Sequence, residues 1–168
     1  VMTSPNIPTP DTALVYPGTG LFGGTNVSEG VGTTRPFELV GAPWLDAEYL
    51  AWRLNRLGLP GVIFRPVNFV PRFGLYQGEN CSGVQLHVTD RKAFRPVNTA
   101  INMLFIIKEL GGENFAFKRQ GGSEHSIDLA SGDDALRTDR FNSEELMARW
   151  NSEARQFKEK SQKYYLYE

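Results

Sequence analysis

Residues 83–112 read GVQLHVTDRKAFRPVNTAINMLFIIKELGG, and the hydrophobic period changes once within them. Val84, Leu86 and Val88 alternate with Gln85, His87 and Thr89, the period of a strand that buries one face. From Pro96 the spacing becomes helical: Val97, Ala100, Ile101, Leu104 and Ile107 share one side of a helix. Pro96 suits the first helical position, and Gly111–Gly112 stops the helix. Strand and helix follow one another here without a regular βαβ rhythm, which points to an α+β fold.

The same reading extends outward. Gly61–Phe69 reads as a strand, with Pro66 confining it to an edge or a bulge. Residues 70–80 read as an irregular loop. Ahead of that strand, Ala47–Leu57 reads as a helix, with Asp46 as N-cap and a staple between Leu45 and Leu50. Ala47, Leu50, Ala51, Leu54 and Leu57 form its apolar stripe, and Gly58 ends it. Beyond residue 112, Phe115–Lys118 suggests a short strand, and helical turns are expected near Ser131–Leu136. The last helix starts near Asn142, whose pairing with Glu145 fits a capping box. Leu146, Trp150, Ala154 and Phe157 should face inward, and the aromatic tail KYYLYE should pack down. The expectation is one α+β domain, a small mixed sheet flanked by three main helices.

Residues 16–45, YPGTGLFGGTNVSEGVGTTRPFELVGAPWL, hold seven of the 17 glycines and no apolar period. They are expected to form a long, ordered, Gly-rich loop. Tyr16, Leu21, Phe22, Phe37, Leu39 and Trp44 can pin such a loop to the core, with Phe22, Phe37 and Trp44 buried beneath it. It would then present Asn26, Glu29, Thr33, Thr34, Arg35 and Glu38, a set that suits a polyhydroxylated or anionic ligand. Residues 1–15 carry Pro5, Pro8 and Pro10 and read as an extended Pro-rich inter-domain segment, leaving 16–168 as the domain.

The chain has 168 residues, enough for one sizeable core, with 40% hydrophobic and 22% charged residues. A net charge of −1 argues against a nucleic-acid partner. The longest apolar run, near Met103–Ile107, falls far short of the ~20 residues of a membrane span. One cysteine, Cys81, excludes an internal disulfide. It reads as a small buried side chain rather than a nucleophile. His87, His125 and Cys81 have no zinc-like spacing, so neither metal nor cofactor is expected.

Glycosidases use two carboxylates, and Glu29 and Glu38 are the candidates in this loop. The alternative is structural: one caps or pairs with Arg35 and the other is solvated. Arg35 could clamp a ligand carboxylate through its planar fork or hold Glu29 or Glu38 in an ion pair. Thr33 and Thr34 could bind a sugar hydroxyl or stabilise a turn. Tyr76 could stack on a sugar ring or lie over the core as a lid. Gly30 and Gly32 lack the further residues of a phosphate-binding loop.

YPGT, GTNVSEGVGTTRPFE, GAPWLDAEYL, LGLPGVIFRPVNFVP and YQGENCSGVQLHVTDR resemble segments of the NamZ-type exo-β-N-acetylmuramidases of bacteria. The terminal KYYLYE resembles that family's aromatic end. The chain departs from the family pattern at Gly23 and Val31 and keeps Glu29, Thr33, Thr34, Arg35 and Glu38. The resemblance implies the C-terminal auxiliary α+β domain of a peptidoglycan glycoside hydrolase that releases N-acetylmuramic acid from non-reducing ends. An upstream Rossmann-like domain of the same polypeptide would carry the principal catalytic carboxylates, with the substrate in the cleft between the two. It also implies peptidoglycan fragments as ligands and an exported, periplasmic or secreted location. The competing readings are a non-catalytic carbohydrate-binding module and a cell-envelope interaction domain.

Overall fold

A computed structural model describes residues 4–121, 124–138 and 140–166. In chain order the main elements are α1 (Pro10–Thr19), β1 (Leu39–Ala42), α2 (Ala47–Asn55), β2 (Val62–Phe69), β3 (Cys81–Val88), α3 (Pro96–Gly111), α4 (Ser126–Ser131) and α5 (Ser143–Ser161). The fold is α+β. Its three strands run in the order β1-β3-β2, and both pairings are antiparallel, so the sheet is not mixed. Strands β1 and β2 both run antiparallel to β3 and so parallel to each other, and α2 carries the chain across between them.

Side chains alternate across each strand, and the register sorts them cleanly. Val40 and Ala42 of β1, Val62 and Phe64 of β2, and Val84 and Leu86 of β3 join the main core. Leu50, Ala51 and Leu54 of α2 pack onto this face, as do residues of α3. The opposite face carries a smaller cluster, Leu39, Phe69 and Cys81, with Val67 and Tyr76 against it. Gly41 makes room there, since a Cβ at that position would stand 2.9 Å from the Phe69 ring. The single-faced expectation for β3 therefore fails: Gln85, on the second face, is only 6% exposed.

Helix α3 is the axis of the molecule. Beyond the expected stripe it buries Thr99, Met103 and Ile106, because α1, α2 and α5 surround it. Pro96 and Gly112 bound it as expected. Asp46 caps α2 through Tyr49 N (2.9 Å), although the helix ends at Asn55 and Leu57 is exposed. Strand β2 does lie at a sheet edge, as Pro66 requires. The Asn55 amide seals part of that edge, donating to Phe64 O (2.7 Å) and accepting from Phe64 N (2.9 Å).

Four further expectations change. Residues 10–15 are not extended: Pro10 is the first residue of α1, and the Thr9 hydroxyl accepts from Thr12 N (3.0 Å) to cap it. Proline is tolerated there because the N–H it lacks would have no partner. Residues 16–45 are not one loop, since they hold the end of α1, a 3-10 helix (Gly20–Gly24) and β1. The irregular part is residues 25–38. Within the longer stretch Phe22 is buried, while Phe37 and Trp44 are half-buried and Tyr16 is exposed. The expected strand near residue 117 is reduced to single bridges, Thr25–Phe117 and Arg119–His125, and the short helix lies at Ser126–Ser131, earlier than expected.

The fourth change concerns α5. Its capping box at Asn142 and Glu145 is present. Leu146 is buried and Trp150 half-buried, but Ala154 is exposed and Phe157 is 70% exposed. Ala154 still borders a groove with residues 95–98 at the start of α3, and beyond it residues 155–160 are exposed. Tyr164, Tyr165 and Leu166 are exposed with it. Residues 167 and 168 lie outside the described residues. No helix of the described residues is long and apolar enough to cross a membrane.

Candidate functional site

A hollow of about 550 Å³ opens over the second face of the sheet. One rim is the turn Gly32–Arg35, and the other is formed by Val70, Arg72 and Phe73. Leu39, Val67, Asn68, Phe69 and Gln85 supply its floor. The rims are fastened together: Arg72 N donates to Gly32 O at 2.8 Å. Gly32 has φ +90°, and a Cβ there would meet Phe73 O at 2.2 Å, so only glycine permits the approach.

The turn is braced from within. The Thr33 hydroxyl donates to Gly30 O (2.7 Å) and accepts from Arg35 N (3.1 Å). Arg35 Nη1 donates to Glu38 Oε2 at 2.9 Å. Glu38 is buried, and its Oε1 accepts from the hydroxyls of Thr12 (2.7 Å) and Thr9 (3.2 Å). These contacts join the turn to the N-terminus of α1. A buried carboxylate is tolerable only with such partners.

The sequence-derived site residues separate into three groups. Thr33, Thr34 and Arg35 line the hollow. Glu29 is half-buried, its carbonyl accepting from Phe37 N (2.6 Å) and its side chain without a hydrogen-bond or ion-pair partner among the described residues, and Glu38 is committed to Arg35 and the two threonines. Asn26 and Tyr76 are engaged elsewhere. The Asn26 amide donates to Asn114 O (2.7 Å) and accepts from Ala116 N (2.8 Å). The Tyr76 hydroxyl donates to Asn26 O (2.6 Å), while its ring packs on the Leu39–Phe69–Cys81 cluster. Burial raises the Tyr76 pKa above its ordinary value. The ring is thus a lid on that cluster, with little face left for a ligand.

Gln85, Arg72, Asn68 and Phe73 lie outside the set picked from the loop. Gln85 is nine-tenths buried, and its Oε1 accepts from Arg65 Nη2 at 3.2 Å in the adjoining strand position. A polar residue on the same strand face as Gly83 and Cys81 was the available signal. Arg72 is exposed, and Phe73 is 54% exposed at the rim. The hollow is lined by Arg35, which is paired with Glu38, by Arg72, and by no carboxylate among the described residues.

Cys81 is fully buried, and burial pushes its pKa up to about 11, which keeps it a thiol near neutrality. Among the described residues no group of three His, Cys, Asp or Glu side chains could hold a metal ion.

The model of the family described as "Exo-beta-N-acetylmuramidase NamZ, C-terminal" matches residues 14–167. The chain is 43% identical to a protein of Bacillus subtilis named peptidoglycan beta-N-acetylmuramidase NamZ, across 99% of this chain and 40% of that protein. Two DUF1343 family proteins of Bacteroides fragilis with crystal structures share the fold. One has a TM-score of 0.86 and 34% identity over 100% of this chain and 45% of its own. The other has a TM-score of 0.72 and 25% identity over 99% of this chain and 44% of its own. The chain thus spans less than half the length of these relatives. Its whole compact fold corresponds to their shared C-terminal part, and the chain belongs to the NamZ exo-β-N-acetylmuramidase family, as its C-terminal domain.

Proposed function

We propose that this domain completes the substrate cleft of a glycoside hydrolase that releases N-acetylmuramic acid from the non-reducing ends of peptidoglycan fragments. An upstream domain of the same polypeptide would carry the catalytic carboxylates. The observation that carries this reading is the state of the two acidic candidates. A glycosidase needs a proton donor and a second carboxylate flanking the bond, about 5–10 Å apart. Glu38 is held by a guanidinium and two hydroxyls, and Glu29 does not line the hollow. The hollow offers instead hydroxyl, amide and guanidinium donors and an exposed aromatic ring. Those groups suit holding a hydroxylated, negatively charged ligand rather than cleaving it. The B. subtilis relative's name supports the substrate class.

The chain by itself should not hydrolyse a chromogenic β-N-acetylmuramide, whereas a protein that includes the upstream domain should. Turnover by the purified chain, persisting in an independent preparation and abolished by Glu29→Gln, would place the chemistry here and overturn this reading. No turnover by the longer protein would favour the binding-module alternative.

A further inference from the structure

We infer that the open end of the second sheet face, around Ile63 and His87, is the surface on which the upstream part of the same polypeptide docks. The partner's existence rests on the cleft-wall reading above, and its place on this chain's own residues.

The second face is covered over only part of its length. The lining of the hollow reaches Gln85 and includes neither Ile63 nor His87. Those two form the next cross-strand pair but one on that face, since alternate residues share a side. Ile63 is 54% exposed. With Leu54, Leu59 and Arg65, Ile63 and His87 border a largely apolar depression of about 630 Å³ at the edge of β2. Leu86 N donates to Glu38 O at 2.9 Å, which brings Phe37 to the same end of β3. Tyr16, exposed on α1, stands edge-on to the Phe37 ring with centroids 4.8 Å apart. Exposed apolar side chains gathered on one side of a sheet mark an interaction surface rather than scattered surface residues.

His87 supplies a sign independent of exposure. Its Nε2 is buried with no hydrogen-bond partner among the described residues. An imidazole nitrogen donates or accepts, and leaving a buried one unpaired is unfavourable. Its cross-strand neighbour Ile63 is exposed, and a packing partner that shifts that side chain brings a polar atom to Nε2. The exposed rings of α2 make no such demand. Tyr49 and Trp52 stack on each other at 5.6 Å, and the guanidinium groups of Arg53 and Arg56 lie over them.

The occupant follows from what precedes this domain in its relatives. The chain covers 40% of the B. subtilis protein and matches the family's C-terminal part, so the larger share of such a protein lies upstream. That share enters through α1, which carries Tyr16 and is pinned to Glu38 by Thr9 and Thr12. A domain tethered there meets this face at high effective concentration, so even a modest interface suffices. Docking at Ile63 leaves the hollow, farther along the same face, opening into the seam between the two domains.

The test is hydroxyl-radical labelling, read residue by residue by mass spectrometry, on this chain and on the longer protein. Tyr16 and Ile63 should lose most of their labelling in the longer protein, while Tyr49 and Trp52 keep theirs. Ile63→Asp in the longer protein should return Tyr16 to the labelling of the chain alone, with the circular dichroism of the substituted chain unchanged. If that substitution unfolds the chain, the labelling of the parent proteins decides. Equal labelling of Tyr16 and Ile63 in both would overturn the inference. So would protection of Tyr164 and Tyr165 with Ile63 still labelled, which would place the contact on α5 instead. Protection of Ile63 in the chain alone, rising with concentration alongside a dimer mass in sedimentation, would assign the face to a second copy and overturn it too. Protection in a longer protein that lacks muramidase activity leaves the docking surface standing while the hydrolase reading falls; activity without protection does the reverse.

Discussion

Single residues show how environment decides a side chain's role. Cys81 lies between glycines at positions 78 and 83 in a polar stretch, yet it sits beneath Phe69 and Tyr76 with no exposure. Its thiol pKa is raised by burial above that of an unfolded cysteine. The neutral thiol therefore favours the fold fully below the unfolded value of about 8.5, and this stabilisation is lost as pH rises toward 11. Native protein at pH 8 should react with a disulfide reagent only as fast as the structure opens, and urea should expose one thiol per chain. Rapid modification of the native form would contradict the burial. Glu38 teaches the complementary lesson. Its type and place in the loop were legible, and an ion pair with Arg35 was one of the two readings the residues allowed. Its burial under the Thr9 and Thr12 hydroxyls was not legible, because it depends on a helix hidden behind three prolines.

At the scale of elements, a segment was legible where an apolar stripe and a matching cap agreed. Helices α2, α3 and α5 meet that condition, with Asp46, Pro96 and Asn142 at their starts. Helix α1 does not, since its buried residues are Thr12, Val15, Gly18 and Thr19. It packs through smallness: a Cβ on Gly18 would stand 2.1 Å from Pro96 O at the start of α3. Helix α5 errs the other way. Its stripe continues to Phe157, but burial stops near Trp150, because periodicity shows which side is apolar and not whether anything covers it. Leu146 is thus the main anchor, fully buried. Leu146→Ala should destabilise the protein by about 2–4 kcal/mol, seen as a lower urea midpoint. Amide exchange should be fast beyond residue 154 even in the parent chain, since few buried contacts hold that half. Strong protection there would mean that the helix end is covered in solution.

At the scale of the molecule, the sheet has two occupied faces, and the candidate site belongs to the less obvious one. The main-core face was readable from alternation in β3. The second face was not, because it is built by residues 30–35 and 70–74, far apart in sequence and joined by the Gly32–Arg72 bond. Thr33, Thr34 and Arg35 were found because polar residues crowd one short loop. Gln85 was passed over because a polar residue alternating in a strand looks solvated until its covering loop is known.

The clamp on Glu38 has a bearing on where this unit of folding begins. The family model's match starts at residue 14, but the hydroxyls that hold the buried carboxylate come from residues 9 and 12. That match therefore begins inside the first helix, and the mechanical edge lies at least five residues earlier by that count. A protein trimmed to residues 14–168 should keep every matched position and still lose about 2–4 kcal/mol, as the carboxylate gives up charge-assisted hydrogen bonds. Thermal melting of the trimmed and whole chains side by side measures the difference, and equal midpoints would show that the leading turn is dispensable. Anyone excising this domain from a larger polypeptide at the bounds of that match would cut through the peg that holds its Gly32–Arg35 turn in place.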